Sequence, residues 1–238
     1  MLHWLSQIDS TNRYAALHLA DASEGSVWAA HVQTAGRGQQ NNSWESEPYK
    51  NLTFSLLLRP TWLPSEEQFY LSKIVSLGVT RFLRQHRIKP AIKWPNDIYV
   101  DDKKIAGILI EHQIAGNSIG SSIVGVGLNV NQETFVSDAP NPTSIYLQTG
   151  HTLDLQQALP NLITCILNRY EHLRAGDIRP IDADYRQQLY RLNEWRWFET
   201  RTNRFRAKIT GVRSSGELLL QNEQGQTEAF LFKEVRFL

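Results

Sequence analysis

The sequence predicts an α+β fold, a mixed sheet flanked by helices with a small C-terminal β-barrel, and three observations predict it. Residues 66–84 and 153–174 carry apolar side chains at helical spacing over several turns. Residues 27–33, 51–58 and 121–130 are short, largely apolar runs bounded by turn signals, as strands are. After Asn193 the texture changes to short alternating runs separated by turns, which reads as a small barrel. That change divides the chain into 1–192 and 193–238. The second part is too short to stand alone and is expected to pack against the first.

In order, Ser10-Thr11-Asn12 precede the apolar positions Tyr14, Ala15, Leu17, His18 and Ala22, the pattern of an N-capped helix. The strand over 27–33 runs into Thr34-Ala35-Gly36-Arg37-Gly38, where two glycines break it. A second strand covers 51–58. The helix over 66–84 buries Phe69, Leu71, Ile74, Leu77, Val79, Phe82 and Leu83, with Glu66 and Glu67 at its start, where the helix dipole favours them. One β-hairpin then carries Lys93, Asp97 and Lys104. Tyr99 and Val100 close its first strand, Asp101-Asp102-Lys103 turn, and Lys104 opens the second. A strand with Gly125 and Gly127 spans 121–130. Pro140, Pro142 and Gly150 mark a connecting loop before helices over 153–174 and 181–192. The barrel strands fall at 195–199, 204–212, 218–221 and 228–235, with turns at Ser214-Ser215-Gly216 and Asn222-Glu223-Gln224-Gly225. No internal repeat or low-complexity tract interrupts this order.

Composition narrows the classes. Of 238 residues, 41% are hydrophobic and 21% charged, which is an ordinary globule and not a disordered chain. A formal net charge of +1 gives no bulk attraction to DNA or a membrane surface. The single cysteine, Cys165, shares an apolar helical face with Leu162, Ile166 and Leu167, so it packs, and a disulfide framework is excluded. The N-terminus shows no basic stretch leading into an apolar run, and no segment has the length of a membrane span. The expectation is a reduced, cytoplasmic protein.

Three constellations carry chemistry. The first is Lys93-Trp94-Pro95-Asn96-Asp97 with Lys104-Ile105-Ala106-Gly107-Ile108-Leu109. Charges of both signs at the mouth of an apolar hairpin are costly to desolvate. Two cations holding an anionic ligand, with a carboxylate for a metal or sugar hydroxyl, account for them; a solvated turn is the alternative. The second is Gly36-Arg37-Gly38-Gln39-Gln40-Asn41-Asn42-Ser43-Trp44. Its glycines let backbone N–H groups approach an anion, and Arg37 adds a planar fork for carboxylate or phosphate. It matches neither the P-loop nor the dinucleotide-binding pattern. The third, Gly125-Val126-Gly127-Leu128-Asn129-Val130-Asn131, permits close approach of a ligand or simply of a neighbouring strand.

The remaining signals are negative or balanced. The seven histidines are scattered without metal-ligand spacing, and no serine stands in a nucleophile elbow. Trp195 and Trp197 flank Arg196 near Arg201, Arg204 and Arg206, a pattern seen in nucleic-acid binders. Glu194 and Glu199 dilute it, and strand alternation explains it equally well.

Taken together these residues resemble the biotin protein ligases. The motifs occur in the family's order: Ser10-Thr11-Asn12, Gln33 ahead of Gly36-Arg37-Gly38, Trp44, Lys93-Trp94-Pro95-Asn96-Asp97, Lys104 with Ala106-Gly107-Ile108-Leu109, and Gly125-Val126-Gly127-Leu128-Asn129-Val130. The resemblance implies a class II synthetase-like catalytic domain and an SH3-like C-terminal barrel. With the first helix cap at Ser10, it implies a monofunctional ligase without the winged-helix DNA-binding domain. Such enzymes convert biotin and MgATP to biotinyl-5′-AMP and pyrophosphate, then pass biotin to one lysine of a biotin carboxyl carrier protein or domain of a carboxylase. Joining two anions demands charge neutralisation. By analogy Lys104, Arg37 and Lys93 supply it. Biotin would be held by Ser10, Thr11, Asn12, Gln33, Arg37, Gly38, Gln39, Lys104 and Gly107. ATP would meet Lys93, Asn96, Asp97, Asn129 and Trp44, with Asp97 on the Mg²⁺ side. Neither DNA nor membrane partners are implied, and an exposed sheet edge could serve the carrier or a homodimer.

One departure stands out. The family loop commonly reads G-R-G-R-x-G-R-x-W, whereas Gln39 and Asn42 stand here for two of its arginines and Asn41 for its later glycine. Faster leakage of the adenylate is the expectation. The alternatives are a lipoate ligase or octanoyltransferase of the related fold, a non-catalytic biotin or adenylate sensor, and a nucleic-acid-binding module built on the basic barrel. Lys-Trp-Pro-Asn-Asp and the barrel favour biotin, and retention of both Lys93 and Lys104 speaks against a sensor.

Overall fold

A computed structural model describes residues 1–39, 42–136 and 141–238. Its larger sheet has seven strands: β1 (Leu2–Ile8), β2 (Val27–Gln33), β3 (Leu52–Leu58), β4 (Pro90–Lys93), β5 (Asp97–Val100), β6 (Lys103–Ala115) and β7 (Ser118–Leu128). Their order is β1-β2-β3-β7-β6-β5-β4. β1 pairs parallel with β2 and every other pair is antiparallel, so the sheet is mixed, as expected. β3 is buried along its whole length, as a central strand of alternating Leu, Thr, Phe and Ser covered on both faces must be.

Two helices cover one face, α2 (Phe69–Gln85) and α4 (Leu155–Arg174). They approach so closely that a Cβ on Gly78 would lie 2.7 Å from the Ile166 Cα. Cys165 is buried in the same stripe, in its expected packing role. The short α1 (Thr11–Leu17) lies on the opposite face, where Ala15 packs with Trp28, Leu57 and Ile123. α3 (Ile145–Thr149) and α5 (Ile178–Gln187) complete the helices.

The second sheet contains β8 (Trp195–Glu199), β9 (Arg204–Val212), β10 (Leu218–Asn222), β11 (Thr227–Phe230) and β12 (Arg236–Phe237), in the order β11-β10-β9-β8-β12. Its terminal strands do not pair with one another, so among the described residues it is an open antiparallel sheet rather than a closed barrel. It shares the main core through Phe198, Ala207, Ile209, Leu218 and Leu220.

Several local expectations shift. Lys93, Asp97 and Lys104 sit on three successive strands, β4, β5 and β6, not on one hairpin. Trp94-Pro95-Asn96 makes the first turn, with a cis Trp94–Pro95 bond, and Asp101-Asp102 the second. Glu66 and Glu67 occupy a separate 3₁₀ turn, Ser65–Glu67, ahead of α2. Ser10 is the N-cap of α1 but makes no capping hydrogen bond through its side chain. Pro140, read as part of a loop, lies outside the described residues.

Candidate active site

A cavity of about 490 Å³ opens where the pocket faces of β6 and β7 meet α1, the loop after β2 and the C-terminal sheet. Every site residue named from sequence lines it except Asn129.

One end has a neutral polar floor. The Thr11 backbone N–H donates to Gln33 Oε1 at 3.0 Å, which fixes that amide and leaves Nε2 as the donor end. The Thr11 hydroxyl oxygen lies 3.3 Å from the same oxygen. Ser55 Oγ donates to Asn12 Oδ1 at 2.6 Å and lies 2.9 Å from Thr11 Oγ1. Ser10, with no capping duty, and Gly38 line the cavity beside this floor. Gly125 lets α1 sit this close: a Cβ there would lie 2.3 Å from Asn12 Oδ1.

The loop after β2 folds back on itself. Gly38 N donates to Asn42 O at 2.7 Å and Trp44 N to Gly36 O at 2.9 Å. Gln40 and Asn41, read from sequence as part of this loop, lie outside the described residues. The Trp44 ring rests on glycine backbone: a Cβ would fall 2.3 Å from Trp44 Cε2 at Gly127 and 3.0 Å from Cζ3 at Gly107. The Trp44 Nε1 and Gln39 Oε1 atoms are buried with no hydrogen-bond partner among the described residues. Buried polar atoms normally have one, and both residues line the cavity.

The other end is charged. Lys104 Nζ lies 2.7 Å from Asp97 Oδ1, the two side chains being 26% and 22% exposed, and 5.6 Å from the Trp44 ring. Lys93 Nζ donates to the Tyr99 hydroxyl at 2.9 Å and lies 5.6 Å from the Phe237 ring. Burial pulls the Lys93 ammonium below the ordinary lysine range, an effect that Asp97 partly opposes. Across the cavity, Arg37 pairs with Glu111 at 3.0 Å. Asn96 spends its amide donor on Ile108 O at 2.8 Å, and so braces the turn beside Asp97. Asn129 lies behind the wall, with Nδ2 on Thr143 O at 2.9 Å and a buried Oδ1 that has no partner among the described residues. No group of three or more His, Cys, Asp or Glu able to hold a metal occurs among the described residues.

Sequence reasoning missed Ser55, Glu111 and the C-terminal contribution. Glu111 continues the period-2 face of β6 that carries Gly107 and Leu109, a signal present in the sequence. Phe232, Lys233, Arg236 and Phe237 close the charged end, and nothing local in their segment announces it. Trp94 ties the two sheets together there, donating through Nε1 to Gly216 O at 2.8 Å and meeting the Phe232 ring edge-on at 5.9 Å. The whole arrangement can hold an uncharged hydrogen-bonding group at one end and screen two anions from each other at the other.

Comparison with known proteins agrees with this geometry. Residues 4–129 match the model of the biotin/lipoate A/B protein ligase family. A bifunctional ligase/repressor BirA of Bacillus spizizenii is 30% identical over 225 residues, covering 92% of this chain and 68% of that protein. A biotin–[acetyl-CoA-carboxylase] ligase of Paracoccus denitrificans is 29% identical over 229 residues, covering 93% and 95%. The solved biotin protein ligase of Aquifex aeolicus in complex with biotin and ATP superposes with a TM-score of 0.84 at 27% identity, covering 100% of this chain and 99% of that one.

Proposed function

The chain belongs to the biotin/lipoate A/B protein ligase family, and from that membership we propose how its site works as a biotin protein ligase. It activates biotin with ATP to biotinyl-5′-AMP, releasing pyrophosphate, and transfers the biotinyl group to a lysine. The observation that carries this is the convergence of Arg37, Lys93 and Lys104, from three different elements, on one cavity with a neutral polar floor.

In this reading Ser10, Thr11, Asn12 and Gln33 hydrogen-bond the ureido ring. A lipoyl or octanoyl tail offers those groups no partner, which favours biotin over the related acids. Gly38, Gln39 and Gly107 give the ligand backbone approach. Lys104 and Arg37 neutralise the biotin carboxylate as its oxygen attacks the α-phosphate, and Lys93 neutralises the phosphates. The electron pair forming the mixed anhydride displaces pyrophosphate, so no enzyme nucleophile is needed. Trp44 and Asn96 flank the nucleotide, and Asn129 supports it from behind the wall. Mg²⁺ would arrive with ATP as substrate, and Asp97 would hold it where its charge helps neutralise the phosphates. A magnesium ion that keeps its phosphates and waters takes only one or two protein carboxylates, which fits a single aspartate at the cavity.

The acceptor is a biotin carboxyl carrier domain of a carboxylase, docking at an open edge of the seven-stranded sheet; a homodimer would use the same kind of edge. We divide the chain into a biotin- and ATP-binding part, 1–192, and an SH3-like part, 193–238. We place it in the cytoplasm with its ATP and carboxylase, and assign these residues no DNA-binding or membrane role. No helix among the described residues is long and apolar enough to cross a membrane. The test is incubation with ATP and a purified carrier domain. Mass gain of one biotinyl group, abolished when the acceptor lysine is arginine, is expected; gain of a lipoyl or octanoyl group instead would overturn the choice of acid.

A further inference from the structure

We propose that Glu111 is the positioning residue of the biotin end, holding Arg37 and Asn12 in the orientations that ligand binding uses; the proposal rests on the ligase reading above. Its two oxygens serve two separate elements. Oε1 accepts from Arg37, on the loop after β2, at 3.0 Å, and Oε2 accepts from Asn12, on α1, at 2.7 Å. Both partners are donors at this point and each takes a separate oxygen, which a carboxylate provides and an amide does not.

The orientation propagates. With Asn12 Nδ2 turned to Glu111 and to Leu109 O at 3.3 Å, Oδ1 faces Ser55 and takes its hydroxyl proton. Ser55 has one proton, so with that proton on Asn12 it acts as acceptor in the 2.9 Å contact with Thr11 Oγ1, and the Thr11 hydroxyl donates to Ser55. Glu111 thus sets the sense of a hydrogen-bond chain that runs through Asn12 and Ser55 to the Thr11 hydroxyl. A neutral glutamine offers one acceptor oxygen and presents its NH₂ to another donor. Either Arg37 or Asn12 then faces that NH₂ and loses its acceptor, so one of the two is no longer held.

Stability does not account for the arrangement. The Arg37 and Glu111 side chains are 40% and 39% exposed, and exposed pairs of this kind contribute little to folding. What the pair does is hold a glycine-flanked loop to β6.

The test compares the full-length parent with Glu111→Gln and Glu111→Asp, measuring biotin affinity by calorimetry, KM for biotin and for ATP in ATP–pyrophosphate exchange, and the thermal midpoint. Glu111→Gln should raise Kd and KM for biotin by about tenfold or more while KM for ATP stays within about twofold and the midpoint within about 2 °C. Glu111→Asp keeps the charge but is one methylene short of reaching both donors, so its loss should be intermediate. Unchanged biotin parameters in an active parent background overturn the proposal alone. So does a loss that follows a large fall in the midpoint or strikes biotin and ATP equally, because that is a folding role. A parent without biotin-dependent exchange overturns the functional reading, and this proposal with it.

Discussion

Gly107 and Gly127 face each other across β6 and β7, and the Trp44 ring lies on the bare backbone strip between them. A side chain at either position would enter the space of the ring. A Cβ at 2.3 Å cannot be accommodated, whereas one at 3.0 Å needs only a small displacement. Gly127→Ala should therefore unseat Trp44 and speed release of biotinyl-adenylate by about tenfold or more, with Gly107→Ala clearly milder. Release rates by rapid filtration check the ranking. Equal effects of the two would count against the shelf.

Lys104 pairs with Asp97 at 2.7 Å, and in the proposed reaction it is the cation that meets the biotin carboxylate. Lys104→Ala removes that charge and leaves Asp97 facing two anions. Biotin-dependent exchange should fall by about 10² to 10³. A loss below about tenfold would remove Lys104 from its assigned role.

On the proposed reading, Lys93 should give the reaction an alkaline pH dependence. Burial lowers its pKa, so it gives up its proton at lower pH than an ordinary lysine. Its hold on phosphate should weaken as pH rises through that lowered value, seen as KM for ATP climbing on the alkaline side. Lys93→Arg keeps its charge and should flatten that limb. Linkage has the opposite sign: between the lowered and the ordinary value the unfolded chain binds more protons, so this residue makes the fold relatively more stable as pH rises. A limb that survives in Lys93→Arg would assign it to another group.

Gln39 and Asn42 stand where related loops commonly carry arginines. Gln39→Arg restores a cation beside the cavity and should slow adenylate release several-fold. Off-rates equal to the parent would mean that the missing charge is without consequence.

The long periodic elements were legible and the short ones were not. α2 and α4 lie within three residues of the boundaries read from apolar spacing. The spacing predicts the last long helix over 181–192, whereas α5 runs from Ile178 to Gln187: Gly176, at φ +84°, ends the preceding helix, and Asp177 takes the N-cap position without a side-chain capping bond. β1 was missed because it is an edge strand, mostly exposed, without clean alternation. β4 was missed between Pro90 and Pro95, which suppress a strand reading although the pairing is real. Pro142 and Gly150 suggest a loop where α3 forms, capped by Ser144, which accepts from Leu147 N, and ended by Gly150. Most residues that line the cavity are legible because each sits in a compact motif whose chemistry is local. Glu111 and Ser55 are not, because their roles come from a partner on another element. The same holds for Phe232 to Phe237, which reach the cavity only through the packing of the second sheet on Trp94.

The most direct test of the central claim is ATP–pyrophosphate exchange by the purified chain, with biotin, lipoate, octanoate or no acid added. Exchange that depends on biotin alone, and is lost in Lys104→Ala, is the predicted result. Exchange with lipoate or octanoate but not biotin, or tight biotin binding without any exchange, would contradict it.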